Sequence, residues 1–204
     1  MLFYDKIYKK NKIEEGKVSP MVKEIPEFLF KNCKCLDLGC GQGKETFYLA
    51  NLNCKVMAVD SSSVAIKQIK TKVKEEGYKN IKAKKMNIKD CTTKDKNNYN
   101  IILCLNVLNF LEKKDVYKTI KNIKKLLKKD GIIIISAFNK RDPANKSKKT
   151  NLKYFFKKNE LLKLFKRFKV LHYSENLIKD LGHPGAEKPH LHGLSQIIIK
   201  KESK

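Results

Sequence analysis

Residues 35–43 read C-L-D-L-G-C-G-Q-G. A short apolar run stops at a glycine, two more glycines follow at alternate positions, and an amphipathic stretch begins a few residues later. Gly39, Gly41 and Gly43 let the backbone turn tightly and keep side chains away from any ligand that approaches it. A strand that ends in such a turn and leads straight into a helix suits a parallel sheet, whose strands need crossover connections. The rest of the chain repeats this plan. Apolar runs occur at 33–40, 55–60, 81–88, 99–106, 131–139, 168–176 and 193–201. Helical patterns lie between them at 46–51, 62–77, 114–129 and 159–168. In 114–129, Val116, Ile120, Ile123 and Leu126 share one face, and Asp130-Gly131 reads as its stop. Asn159 reads as the N-cap of the last helix. The final two runs are joined by 177–192, a glycine- and proline-containing loop with no strong helical pattern. Without a crossover helix the last strand is expected to run antiparallel.

Composition narrows the class. At 204 residues and 41% hydrophobic, the chain suits one domain (1–204), with an N-terminal helical or lid segment at 1–30 and a core at 33–201. No apolar run approaches the roughly 20 residues of a membrane helix. The N-terminus shows no apolar region of the signal-peptide kind, so a cytoplasmic location is the default expectation. Six cysteines (Cys33, Cys35, Cys40, Cys54, Cys91 and Cys104) fit neither paired zinc-ligand spacing nor a secreted disulfide framework, and read as buried thiols. The net charge of +25 suggests nucleic acid, but Arg141 and Arg167 are the only arginines. Arginine is the residue that forks onto phosphates and bases, and the lysines are spread along every segment. A nucleic-acid partner is therefore possible but not favoured, and no feature sets an oligomeric state.

The glycine loop has acidic company. Asp37 lies inside the strand, two residues before Gly39, where a carboxylate suits a cationic amine better than a pyrophosphate. Position 44 is lysine, where a dinucleotide loop of the GxGxxG type wants its third glycine. Both features argue for S-adenosylmethionine, whose aminoacyl group carries an ammonium. Asp60 ends the next strand, 21 residues beyond Gly39, and an acid there can take both ribose hydroxyls of an adenosine. Asn87-Ile88 follows the third strand, where an amide and an apolar side chain suit an adenine edge and face. Asn106 ends the fourth, next to the switch point where ligands of open α/β sheets bind. The whole is expected to be a Rossmann-like α/β fold: a seven-stranded, mostly parallel sheet with an antiparallel last strand and helices on both faces.

On these residues the chain resembles a class I S-adenosylmethionine-dependent methyltransferase. GQGKETFYLA, YFFKKNELLKLFKRFKVLHYSEN and PHLHGLSQIIIKK resemble the small methyltransferases of the tellurite-resistance type. The resemblance implies methylation of a small molecule or an inorganic oxyanion (tellurite-like, selenite-like, or a thiol) by direct in-line transfer; an RNA methyltransferase is the alternative. It also implies site roles. Gly39, Gly41 and Gly43 wrap the aminoacyl part, and Asp37 helps to hold its ammonium directly or through water. Asp60 takes the ribose, Ser61 flanks the adenine, Asn87 and Ile88 hold it, and Asn106 lies near the methyl-bearing sulfur. Asn87 stands where an aspartate is more usual in the family. Tyr4 and Tyr8 read either as a lid over the cofactor or as core packing, and Phe110, Phe138, Asn139 and Arg141 are similarly open. Three of the four histidines (His183, His190 and His192) fall in G-H-P-G-A-E-K-P-H-L-H-G, 182–193. This stretch is open to three readings: a stiff turn, a metal site with Glu187 or water as an extra ligand, or an acceptor-side loop. The reading adopted is the last, with His190 and His192, together with Asn106, as catalytic candidates and no metal.

Overall fold

The computed structural model describes residues 3–10, 18–25, 33–91, 98–182 and 186–202. In chain order its elements are α1 (Phe3–Lys10), α2 (Pro20–Lys23), β1 (Lys34–Leu38), α3 (Lys44–Asn51), β2 (Lys55–Asp60), α4 (Ser63–Glu75), β3 (Ile81–Lys85), β4 (Tyr99–Leu105), α5 (Lys113–Leu126), β5 (Leu127–Phe138), α6 (Glu160–Leu164), β6 (Lys169–Asp180) and β7 (His190–Lys200). The strands form one seven-stranded sheet in the order β3-β2-β1-β4-β5-β7-β6. Strands β1 to β5 pair in parallel, and β7 runs antiparallel to both β5 and β6. The expected α/β class, parallel core and antiparallel final strand are all present.

Alternation along the strands divides the interior into two halves. Leu36, Leu38, Ile102, Cys104, Ile133 and Ile135 pack on one face with Val116, Ile120 and Ile123 of α5 and Leu161 of α6. Cys33, Cys35, Ile101, Leu103, Ile132 and Ile134 pack on the other with Phe47 and Leu49 of α3 and Ile66 and Ile69 of α4. A stretch covered on both faces must be apolar at every position, which is why Ile101–Leu105 of β4 and Ile132–Ile135 of β5 read as unbroken runs. All six cysteines are buried, and none is in a disulfide. The fold brings three of them together at the start of β1 and β2, with Cys33 Sγ 2.7 Å from Cys54 Sγ and 3.8 Å from Cys35 Sγ. No helix among the described residues is long and apolar enough to cross a membrane.

Several boundaries move. Helix α5 ends at Leu126, and β5 begins at once at Leu127. Asp130-Gly131 is thus an irregularity inside a strand and not a helix stop. Asp130 sits at φ 59°, and the register to β4 shifts between Tyr99 and Ile101. A Cβ at Gly131 would lie 2.9 Å from the Asn100 carbonyl oxygen, so only glycine passes there. Asn159 holds the N-cap position of α6, but at φ 58° its side chain makes no capping bond. The longest revision is at the end of the chain. Strands β6 and β7 continue well into 177–192, so His190 and His192 lie on β7 and not in a loop. Position 183 lies outside the described residues.

Candidate active site

Strand order reverses at β1, whose neighbours β2 and β4 connect outward in opposite directions. At this switch point the C-terminal ends of β1, β2, β3 and β4 wall a cavity of about 530 Å³, within the ~300–1,000 Å³ typical of small-ligand sites. Gly39, Asp60, Ser61, Asn87, Ile88 and Asn106 all line it. These positions come from four separate loops, and the parallel sheet delivers them to one edge.

The loop itself is built by left-handed backbone. Gly39, Gly41 and Gly43 have φ of 76°, 51° and 88°. A Cβ at Gly39 would lie 2.4 Å from Cγ2 of Val107, so the loop packs directly on the end of β4. Gly39 lines the cavity, whereas Gly41 and Gly43 are not among its lining residues. Asp60 fastens the loop from the side: Oδ2 accepts from the Gly41 N–H at 2.9 Å, and Oδ1 accepts from the Ser62 N–H at 2.8 Å. Burial pushes its carboxyl upward, and bonds from backbone N–H groups offset part of that push. A carboxylate has about four acceptor sites, so the bonds from the Ser62, Gly41 and Ser61 N–H groups leave capacity for a ligand hydroxyl.

Asp37 is buried behind the loop and is not among the lining residues. Its Oδ2 accepts from the Thr46 hydroxyl at 2.7 Å, which ties the strand end to the first turn of α3. Burial first, then the charge of Glu45, pushes its carboxyl up to about 7 against the Thr46 bond. Asn87 caps the 3-10 turn Ile88–Asp90 through its side-chain oxygen, which accepts from the Lys89 N–H at 3.2 Å. Asn106 has φ 52°, and its side-chain oxygen accepts from the Ser136 hydroxyl at 2.8 Å. Asparagine tolerates the left-handed region, and residues held there cluster at functional sites.

Helix α1 closes one wall. Tyr4 and Tyr8 line the cavity, and Tyr4 packs edge-on against Phe110, another lining residue, with ring centroids 5.4 Å apart. The helix is fastened to α4: the Ser62 hydroxyl donates to buried Asp5, and the Gln68 amide donates to the Tyr8 carbonyl at 2.8 Å. Two further lining residues, Asn151 and Lys153, were not singled out in the sequence. They arrive from irregular chain beyond β5, where no local motif marks them. Lys153 pairs with Glu112 at 3.1 Å.

The remaining candidates lie elsewhere. Arg141 donates to the Glu175 carbonyl and is not among the lining residues. Asn139 is buried, its side chain accepting from the Arg141 N–H and donating to Ser195. His190 and His192 are also absent from the cavity lining. They form a cluster of their own beyond β5, where His192 packs on Phe138 with ring centroids 4.9 Å apart. His192 Nδ1 lies 3.0 Å from Asp142 Oδ2, and its Nε2 lies 2.9 Å from His190 Nε2.

The comparisons with known proteins agree on the fold. The crystal structure of TehB from Haemophilus influenzae superposes with a TM-score of 0.78 over 91% of this chain and 63% of that one, at 24% identity. A Burkholderia thailandensis 1,6-didemethyltoxoflavin-N1-methyltransferase with bound S-adenosylhomocysteine superposes with a TM-score of 0.67 over 91% of this chain and 78% of that one, at 18% identity. In sequence, the chain is 31% identical to a probable S-adenosyl-L-methionine-dependent methyltransferase TehB of H. influenzae, over 71% of this chain and 49% of that protein. It is 30% identical to a ubiquinone biosynthesis O-methyltransferase of Pelagibacter ubique, over 65% of this chain and 51% of that protein. The chain therefore spans about half the length of the curated relatives it matches. The family model described as tellurite resistance protein TehB matches residues 1–186, and the chain belongs to that family.

Proposed function

We propose that the chain is an S-adenosylmethionine-dependent methyltransferase that acts on a small acceptor by direct in-line transfer. One observation carries the reading. Gly39, Asp60, Ser61, Asn87, Ile88 and Asn106, each picked out for its fit to one part of the cofactor, line a single cavity at the switch point. In this reading Asp60 takes the ribose hydroxyls while it braces the loop, and Asn87 and Ile88 meet the adenine. Asp37 acts from behind as a buried carboxylate that favours an ammonium at Gly39.

The sulfonium brings its own leaving group, so the chain has little covalent work to do. It aligns the acceptor with the methyl and keeps water out. Tyr4, Phe110 and Leu111 supply an apolar wall, and Lys153, which also pairs with Glu112, supplies a cation that suits an anionic acceptor. An oxyanion or thiolate needs positioning more than a base. No transfer step is assigned to His190 or His192, since neither lines the cavity.

The test is turnover, followed as S-adenosylhomocysteine release across oxyanions, thiols, small amines and RNA. A small anionic acceptor should give turnover that falls at least tenfold in Lys153→Ala with cofactor affinity unchanged. Turnover only with RNA would defeat the small-acceptor reading.

A further inference from the structure

We propose that Asp180, His190 and His192 form a binding site for a divalent transition-metal ion of the zinc class, with Asp142 orienting His192 from behind. The strand register builds the ligand set. His190 and His192 are two apart on β7 and so point to the same face. Asp180 is the register partner of His190 across the antiparallel pair, which puts its side chain on that same face. One ligand atom from each residue lies within 4.8 Å of the others.

Hydrogen bonding fixes which ring nitrogens face each other. His190 Nδ1 lies 2.8 Å from the Lys188 carbonyl oxygen, which only accepts, so Nδ1 carries the hydrogen. His192 Nδ1 lies 3.0 Å from Asp142 Oδ2. That carboxylate also accepts from the Gly193 N–H at 3.0 Å and the Ala144 N–H at 2.8 Å, an arrangement suited to an ionised acid. In neutral rings both Nε2 atoms then present lone pairs to one another at 2.9 Å. Two lone pairs at that distance need a positive species between them, either a proton or a metal ion. Asp180 adds a third donor, which a metal ion uses and a proton shared by the rings does not. Asp180 Oδ2 lies 4.0 Å from His192 Nε2, and its Oδ1 is held by the Gly182 N–H at 2.7 Å.

The dimensions suit zinc. Metal–nitrogen bonds of about 2.0–2.1 Å in a tetrahedron put neighbouring donors about 3.3 Å apart. The two imidazoles are within a few tenths of an ångström of that spacing, and Asp180 Oδ2, 4.0 Å from His192 Nε2, draws in to complete the set. The pairing of a ligand histidine with a carboxylate on its far nitrogen is the usual supporting contact of such sites. Two histidines and one carboxylate leave a fourth position for water or an anion. All three ligands are only partly buried, so an ion can enter. The bound ion would fasten the far end of the β6–β7 hairpin to the segment after β5, since Asp142 belongs to that segment.

The test uses the full chain without an affinity tag, stripped by a chelator and titrated with Co²⁺ as a spectroscopic stand-in for Zn²⁺. One equivalent should bind with the visible absorption of four-coordinate cobalt, and Zn²⁺ should displace it. Asp142→Asn should weaken binding about 10–100-fold, as loss of such a supporting carboxylate does elsewhere. His192→Ala should abolish binding. Should that variant fail to fold by circular dichroism, Asp180→Asn and His190→Gln carry the same expectation of at least tenfold weaker binding. Absence of stoichiometric binding would assign a shared proton to the ring pair and overturn the site. So would undiminished binding in Asp180→Asn and His190→Gln. A thiolate-to-cobalt charge-transfer band would overturn it as well, since it would place the ion on Cys33, Cys35 and Cys54.

Discussion

The most consequential single residue is Asp37, because its carboxyl is buried under a loop that it does not leave. Its pKa of about 7 stands above the ordinary carboxylate value of 3.8. Between those limits the folded chain keeps a proton that the unfolded chain has released. Stability from this group therefore falls as pH rises from about 4 to about 7, and the penalty is complete above that. Asp37→Asn removes the titration and keeps an oxygen for the Thr46 hydroxyl. The unfolding free energy of the variant relative to the parent, read by urea titration, should rise from pH 4 to pH 7 and then level off, with a span of a few kcal/mol at about 1.4 kcal/mol per pH unit. A difference independent of pH would contradict the burial account. Asp37, Gly39 and Asp60 were all legible in the sequence, because each is tied to the others by a short local spacing. Lys153 and Asn151 were not, since they reach the cavity through irregular chain that no periodicity predicts.

Among the elements, α6 shows how a short helix is held. A helix of five residues cannot stand alone, because the first turn costs more order than its bonds return. Glu160 supplies the missing support. It is buried and accepts from the hydroxyls of Tyr117 and Tyr154 and from the Lys157 N–H at 2.8 Å. Burial raises its carboxyl, but these bonds outweigh that and hold it below the ordinary range. Its contribution is thus present above about pH 4.5 and lost as pH falls. Glu160→Ala should lower stability by about 1–3 kcal/mol, read as a lower urea midpoint with an unchanged slope, and should leave cofactor affinity within twofold. A larger loss of cofactor affinity would mean that α6 reaches the cavity. The elements also show where pattern reading slips. An Asp-Gly pair after an amphipathic run signals a helix end, yet here the strand starts first and the pair forms a kink within it. The histidines looked like loop residues because Gly and Pro surround them, whereas long antiparallel pairing carries β7 through both. Asp180 joins them only through that register, which a single strand's sequence cannot display.

For the whole molecule, the lysines matter less than their number suggests. With 46 basic and 21 acidic residues the chain attracts polyanions, but the positive charge is nearly all lysine and is spread over every segment. Binding to RNA should be weak and should fall steeply with salt, without a sequence preference. The architecture concentrates function instead at one sheet edge, where parallel strands deliver four loops to a common cavity. In the proposed function this cavity holds S-adenosylmethionine through Asp60. The most direct measurement is calorimetric titration of the full chain and of Asp60→Ala with S-adenosylmethionine. One site per chain is expected, with a loss of about 1.5–3 kcal/mol in the variant, roughly ten- to a hundredfold in affinity. No binding to the parent at millimolar cofactor, or equal affinity in the two proteins, would contradict it.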